Sequence, residues 1–129
     1  MRVFYKLFCR SVLEYGAPVW SGALTKRNIQ DIERVQQNAM RIIFGAAFTT
    51  YDDCLEQLEE QTLEERRSKL CLTFALNCLK TEKFSSWFPK GIKTRSGTHF
   101  CEEEALTKRY RNSAIPHLTR LLNINLHSG

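Results

Sequence analysis

Asp52 and Asp53 stand side by side behind Tyr51, in the stretch TTYDDC. Paired carboxylates behind an aromatic residue are what a nucleic-acid polymerase uses to hold its metal ions. That site needs an aromatic residue, one spacer and then two aspartates, set in a hairpin between apolar strand residues. Here Tyr51 touches Asp52 directly, and no Val/Ile-rich segment flanks the pair. Helix capping explains the stretch without chemistry. Thr50 sits where an N-cap belongs, and Asp53 follows three residues later, close to a capping box. Carboxylates in a first turn are favoured by unpaired N–H groups and the helix dipole. Thr62 and Glu65 repeat the pattern. Neither aspartate is expected to do catalysis.

The other reactive residues propose no site. Cys71 and Cys78 are seven residues apart, and His99 and Cys101 two apart, so neither pair forms the short Cys-x-x-Cys knuckle of structural zinc. Cys71 and Cys78 fall on the apolar side of a predicted helix and read as small buried hydrophobes. His99, His117 and His127 are scattered, and no nucleophile–base motif joins them. Glu102, Glu103 and Glu104 read as a solvated run. GIKTRSG lacks the helix that must follow a phosphate-binding loop. No metal and no cofactor are expected.

Basic residues are the remaining candidates. Arg27, Arg34 and Arg41 recur every seven residues and fall in one row on a predicted helix. Such a row is either a solvated helix back or a line of phosphate contacts. Three further clusters follow: Arg66, Arg67 and Lys69; Lys90, Lys93 and Arg95; and Lys108, Arg109 and Arg111 around Tyr110. Lysine and arginine supply phosphate contacts, while Tyr110 and Trp87 offer rings for base stacking. The competing reading is surface charge that serves solubility.

The elements that carry these residues are helical. RVFYKLFCRSVLEY places Val3, Phe4, Leu7, Phe8 and Val12 near the helical period, and Gly16 and Pro18 end the segment. GAPVWSGAL reads as an irregular connector with Val19 and Trp20 buried. A second helix is predicted from about Lys26 to Phe44, capped by Thr25 and stopped by Gly45. Its inward face is expected to hold Ile29, Ile32, Val35, Ala39, Met40, Ile42 and Ile43. A short helix follows Thr50. A fourth, from about Leu63 to Lys83, is apolar over most of its circumference and is expected to sit at the centre of the bundle. Beyond it, FSSWFPKGIKTRSGTHF reads as irregular, anchored by Phe84, Trp87 and Phe88. A short helix around Pro116 to Leu122 closes the chain. Strand signal is almost absent. The fold class is all-α: a bundle of three to four helices over residues 1–85, then a basic, partly irregular segment over 86–129.

Composition fits one ordinary domain of 129 residues, with 43% apolar and 26% charged residues. The net charge of +5 is uneven. Residues 1–64 hold 7 Lys/Arg against 9 Asp/Glu, and residues 65–129 hold 12 against 5. A basic second half suits an acidic partner such as RNA or DNA. Five cysteines at irregular spacing, and no apolar signal core in MRVFYKLFCR, point to free thiols in an intracellular compartment. Nucleus and cytoplasm are not distinguished, since TKRNI and LTKRYR are too short for nuclear signals. The longest apolar stretch is about ten residues, half of a membrane span, and no membrane partner is expected.

Several blocks, taken together, resemble one family. RSVLEYGAPVWSGALTKRNIQDIERVQQNAMRIIFG, LEEQTLEERRSKLCLTFALNCLK, GIKTRSG and LTKRYRNSAIPHLTRLLN are similar, in order and spacing, to the C-terminal part of LINE-type (non-LTR) retrotransposon reverse transcriptases, in particular their jockey-like and chicken-repeat-like relatives. The resemblance runs from about Tyr5 to Asn123. Its most specific parts are Tyr15, Gly16, Val19 and Trp20, then Glu33 to Gln36. It implies a thumb or post-thumb piece that helps to hold the RNA template and DNA primer. The family's catalytic aspartates lie upstream in the palm, so none of these residues inherits a catalytic role, and the isolated chain is not expected to be an enzyme. An upstream polymerase region is an implied partner. The resemblance adds weight to the Arg27, Arg34 and Arg41 row. The rival readings are a helical protein–protein module, exposing Phe4, Trp20, Trp87 and Phe88, and an inert retroelement remnant.

Overall fold

The structure is a computed structural model that describes residues 2–94, 97–102, 104 and 106–128. Among the described residues helix dominates, and the fold is all-α apart from one small antiparallel hairpin. Helix α1 is composite: an α turn at Arg2–Phe4, a π-helical turn at Tyr5–Cys9 and an α-helix at Arg10–Glu14. Gly16 then takes a positive φ of 65°, which ends the helix at little steric cost. The connector is more ordered than its composition suggests. Ala17–Trp20 forms a short helix, α2, and Ser21–Ala23 a 3-10 turn. Ala17 is fully buried, whereas Val19 is exposed, contrary to the expectation from its apolar neighbours.

Helix α3 spans Lys26–Phe44. The Thr25 hydroxyl accepts from the Asn28 N–H at 3.2 Å, and Gly45 stops the helix at φ 54°. Helix α4, Tyr51–Leu58, starts at Thr50, whose Oγ1 accepts from the Asp53 N–H at 3.2 Å. Helix α5, Leu63–Lys80, starts at Thr62, whose Oγ1 accepts from the Glu65 N–H at 3.2 Å. All three starts lie where the Ser/Thr capping rule places them. Helix α6 is the single turn Glu82–Ser85.

Strands β1, Lys90–Thr94, and β2, Gly97–Phe100, pair antiparallel in the segment that composition marks as irregular. The register pairs Lys90 with Phe100 and Lys93 with Thr98, with an irregularity between them. At that step a Cβ on Gly91 would lie 3.2 Å from the His99 carbonyl oxygen, so the glycine permits the close approach. After the turn α7, Lys108–Arg111, the closing helix α8 runs over Ala114–Ser128, longer than the segment around Pro116 that the sequence suggests. Pro116 occupies its first turn, where no N–H is needed.

The chain divides into two compact units that do not part near residue 85. One comprises Met1–Gly16 and Leu24–Arg67, the other Ala17–Ala23 and Ser68–Gly129. Apolar packing explains the division. In the first unit Tyr5, Met40, Cys54 and Leu55 form the buried cluster, with Cys9, Ile43, Phe44, Phe48 and Leu58 against it. In the second unit Cys71, Ala75 and Cys78 of α5 pack with Phe88, Leu118 and Leu122. The C-terminal segment therefore shares a core with Cys71, Ala75 and Cys78 of α5 instead of trailing from a bundle. Helix α5 buries one stripe, while Leu70, Phe74 and Leu76 stay partly exposed. The Asn123 side chain fastens α8 to the hairpin: Phe100 N–H donates to its Oδ1 at 2.9 Å, and its Nδ2 donates to the Phe100 carbonyl at 3.1 Å.

Candidate nucleic-acid interface

Helix α3 turns Gln36 and Met40 inward and carries Arg27, Arg34 and Arg41 on its exposed side. Seven residues are close to two turns, so the Cα atoms of successive arginines are spaced about 10 Å along the axis. Asp31 lies within this row. Its carboxylate is 3.1 Å from Arg34 Nη1 and 4.0 Å from Arg27 Nε, across side chains that are 50% exposed or more. Such pairs are worth about 0–1 kcal/mol, and a phosphate competes with them readily. Arg41 Nη1 donates to Asn38 Oδ1 at 3.2 Å, and its guanidinium lies 5.6 Å from the centre of the Phe48 ring. Val35 and Ile42, expected on the inward face, are exposed instead. The inward stripe is narrower than the apolar composition suggests because Gln36 takes a core position.

Arg66 belongs to the interior wiring of the first unit. Its Nε and Nη2 both donate to the Glu14 carboxylate, the second at 3.1 Å, and these bonds raise its pKa. Arg67 is buried, and its Nη1 has no hydrogen-bond partner. In the second unit Lys69 is exposed on α5 and Lys90 on β1. Lys93 lies in β1 opposite Thr98, its side chain not described, and Arg95 lies outside the described residues. Lys108, Arg109 and Arg111 are exposed together on α7, which Thr107 caps by accepting from the Tyr110 N–H at 3.2 Å. Tyr110 and Trp87 are both partly exposed. The candidates thus form one row in the first unit and a compact cluster on α7 in the second. Arg66 is committed elsewhere.

Asp52 and Asp53 occupy the first turn of α4. Hydrogen bonds from the Thr50 and Thr49 side chains hold the Asp53 carboxyl below the usual range. Among the described residues no group of three or more His, Cys, Asp or Glu is placed to hold a metal ion. Among the described residues no helix is long and apolar enough to cross a membrane. Cys9, Cys54, Cys71, Cys78 and Cys101 form no disulfide. Cys71 and Cys78 are core residues, and burial raises the Cys78 thiol pKa. In the second unit a hollow of about 230 Å³ is lined by Phe74, Asn77, Cys78, Thr81, Phe84 and Trp87 and contains no charged group.

The sequence reading missed a polar network inside the first unit. Tyr5 OH donates to Gln36 Oε1 at 2.5 Å. Gln36 Nε2 donates to Tyr51 OH at 2.9 Å and to the Gln61 carbonyl at 3.0 Å. Tyr51 OH donates to Glu33 Oε1, which also accepts from the Leu63 N–H at 3.1 Å. Glu33 Oε2 is buried without a partner. Burial is the main reason both phenols are held well above the usual tyrosine pKa, and Glu33 adds to the effect at Tyr51. A second layer of charge binds α1. Lys6 Nζ and Arg10 Nη1 reach Glu60 at 2.5 and 2.8 Å. Burial works against the Glu60 charge, but the Lys6 hydrogen bond and the Arg10 charge outweigh it and lower its pKa. The available signal was Glu33 and Gln36, two polar residues within the apolar stripe of α3. No protein-family model, curated protein or solved structure matches the chain.

Proposed function

We propose that the chain is a thumb-like helical piece of a non-LTR retrotransposon reverse transcriptase and holds the phosphate backbone of a template–primer duplex without reading its sequence. The observation that carries this reading is the Arg27, Arg34 and Arg41 row, outward on α3 while the opposite face is fixed by Gln36. Glu33 and Gln36, two members of that network, belong to the second most specific stretch of the resemblance. Arginine suits phosphate contact because its planar donors meet two oxygens at once. The chain supplies no catalytic group in this role, and chemistry belongs to a palm region.

Titration of a fluorescent RNA–DNA hybrid at several salt concentrations tests the proposal. Three contacts give a log–log slope of about −3. Changing Arg27, Arg34 and Arg41 together to Gln weakens binding and flattens the slope. Asp31→Asn strengthens binding, because Asp31 is the carboxylate that competes for Arg27 and Arg34. An unchanged slope in the triple variant moves the role to Lys108, Arg109 and Arg111. No binding at low salt leaves the protein-interaction reading, which the exposed apolar residues of α1 favour.

A further inference from the structure

Helix α1 is inverted. The side that packs into its own unit carries Tyr5, Lys6, Arg10 and Glu14, and the last three are paired with Glu60 and Arg66. The outward side carries Val3, Phe4, Leu7, Phe8 and Val12, which are 68, 58, 63, 59 and 73% exposed. The wide π turn at Tyr5–Cys9 brings residues four apart toward alignment, and the Phe4 and Phe8 rings stack with centroids 4.9 Å apart. Ser11, the polar residue on this side, turns its hydroxyl back to the Leu7 and Phe8 carbonyls at 2.5 and 3.0 Å. The outward face therefore has neither a charge nor a side-chain donor waiting for a partner.

We infer that this face pairs with the same face of a second copy of the chain across a two-fold axis. A neutral stripe meets itself without repulsion, and it offers no group by which a charged partner would be selected. Side chains of this size present roughly 150–200 Å² each when fully exposed, so the five offer about 500 Å² per copy. Two copies bury at most about 1,000 Å², the size of a weak, reversible interface. In an antiparallel pairing with its two-fold axis at Phe8, Phe8 meets the Phe8 of the second copy and Phe4 meets Val12.

Sedimentation velocity from about 1 to 300 µM reads the association state. The expected result is a monomer–dimer equilibrium. Phe8→Glu and Phe8→Lys each place like charges opposite one another and weaken the dimer at least roughly 100-fold. Phe8 is mostly exposed, so both variants keep their helical circular dichroism. Mixing the two variants restores a heterodimer, which general stickiness would not do. A monomer at every concentration overturns the proposal. So does a dimer that both variants tolerate, or a mixture that stays monomeric.

Discussion

Replacing Gln36 with Leu tests whether the buried network holds the first unit together. Leucine is close in volume to glutamine, so the change removes hydrogen bonds and leaves little cavity. Gln36 is 1% exposed, and its side chain accepts one hydrogen bond and donates two. Tyr5, 4% exposed, loses the acceptor for its hydroxyl. An orphaned buried donor costs about 1–3 kcal/mol, and each lost neutral hydrogen bond about 1 kcal/mol. Burying a more apolar side chain offsets part of this, so Gln36→Leu is expected to destabilise by about 2–4 kcal/mol. Against a typical stability of about 5–15 kcal/mol this is a large share. Tyr5→Phe alone leaves Gln36 Oε1 without its donor and costs about 1–2 kcal/mol. In the double variant both ends of that bond are gone, so its cost falls below the sum of the single costs by about 1–2 kcal/mol. Urea unfolding followed by circular dichroism measures all three, and a loss of 3 kcal/mol moves the midpoint by about 1–3 M. Trp20 and Trp87 both lie in the second unit, so their fluorescence reports that unit separately. Single costs that add within about 0.3 kcal/mol, or a Gln36→Leu variant as stable as the parent, would refute the reasoning.

Gly22→Ala is expected to destabilise the second unit by about 1–3 kcal/mol, read by thermal unfolding. A Cβ there would stand 2.6 Å from His117 Cβ, the root of a side chain that cannot swing away. Tyr5 and Tyr51 are held above the free tyrosine value of about 10. Their raised folded pKa values add stability that is complete below pH 10 and is lost as pH rises above it. Absorbance at 295 nm should therefore show these two phenols ionising late, together with unfolding of the first unit, and early ionisation of all tyrosines would contradict the burial. Thr50→Ala is expected to cost about 1 kcal/mol through the lost cap on α4, and primer extension with magnesium should give no product with or without Asp52→Asn. Glu59 sits at φ 52° behind α4, a left-handed conformation that disfavours its Cβ, so Glu59→Gly is expected to raise the urea midpoint slightly or leave it unchanged.

What the sequence revealed follows the reach of each signal. Caps are local, and Thr25, Thr50 and Thr62 each sit where a threonine precedes a helical pattern. The hairpin was hidden because Lys90–Thr94 and Gly97–Phe100 contain Lys, Gly and Thr with little apolar alternation. Asn123 contributes to fastening it from 23 residues away, a contact no window of sequence displays. Of the candidate site, the Arg27, Arg34 and Arg41 row was legible because a seven-residue period survives folding on a helix. The commitment of Arg66 to Glu14 was not, since the pair is 52 residues apart.

The expectation that failed most clearly was polarity. Helical grammar assigns apolar residues to the core, yet in the first unit Gln36 and Glu33 face inward while Val35, Ile42 and the α1 stripe face outward. Burying an amide and a carboxylate requires hydrogen bonds for nearly every polar atom, and the network supplies them except at Glu33 Oε2. Replacing buried polar groups by well-packed apolar ones of similar volume is often neutral or stabilising, so stability alone does not account for the arrangement. What the network adds is specificity. It ties α1, α3, α4 and the start of α5 through bonds that only one register satisfies, and sliding packing of Met40, Leu55 and Ile43 could not do this. With register fixed from inside by polar contacts, the core does not need the outer face of α1, which is apolar and exposed.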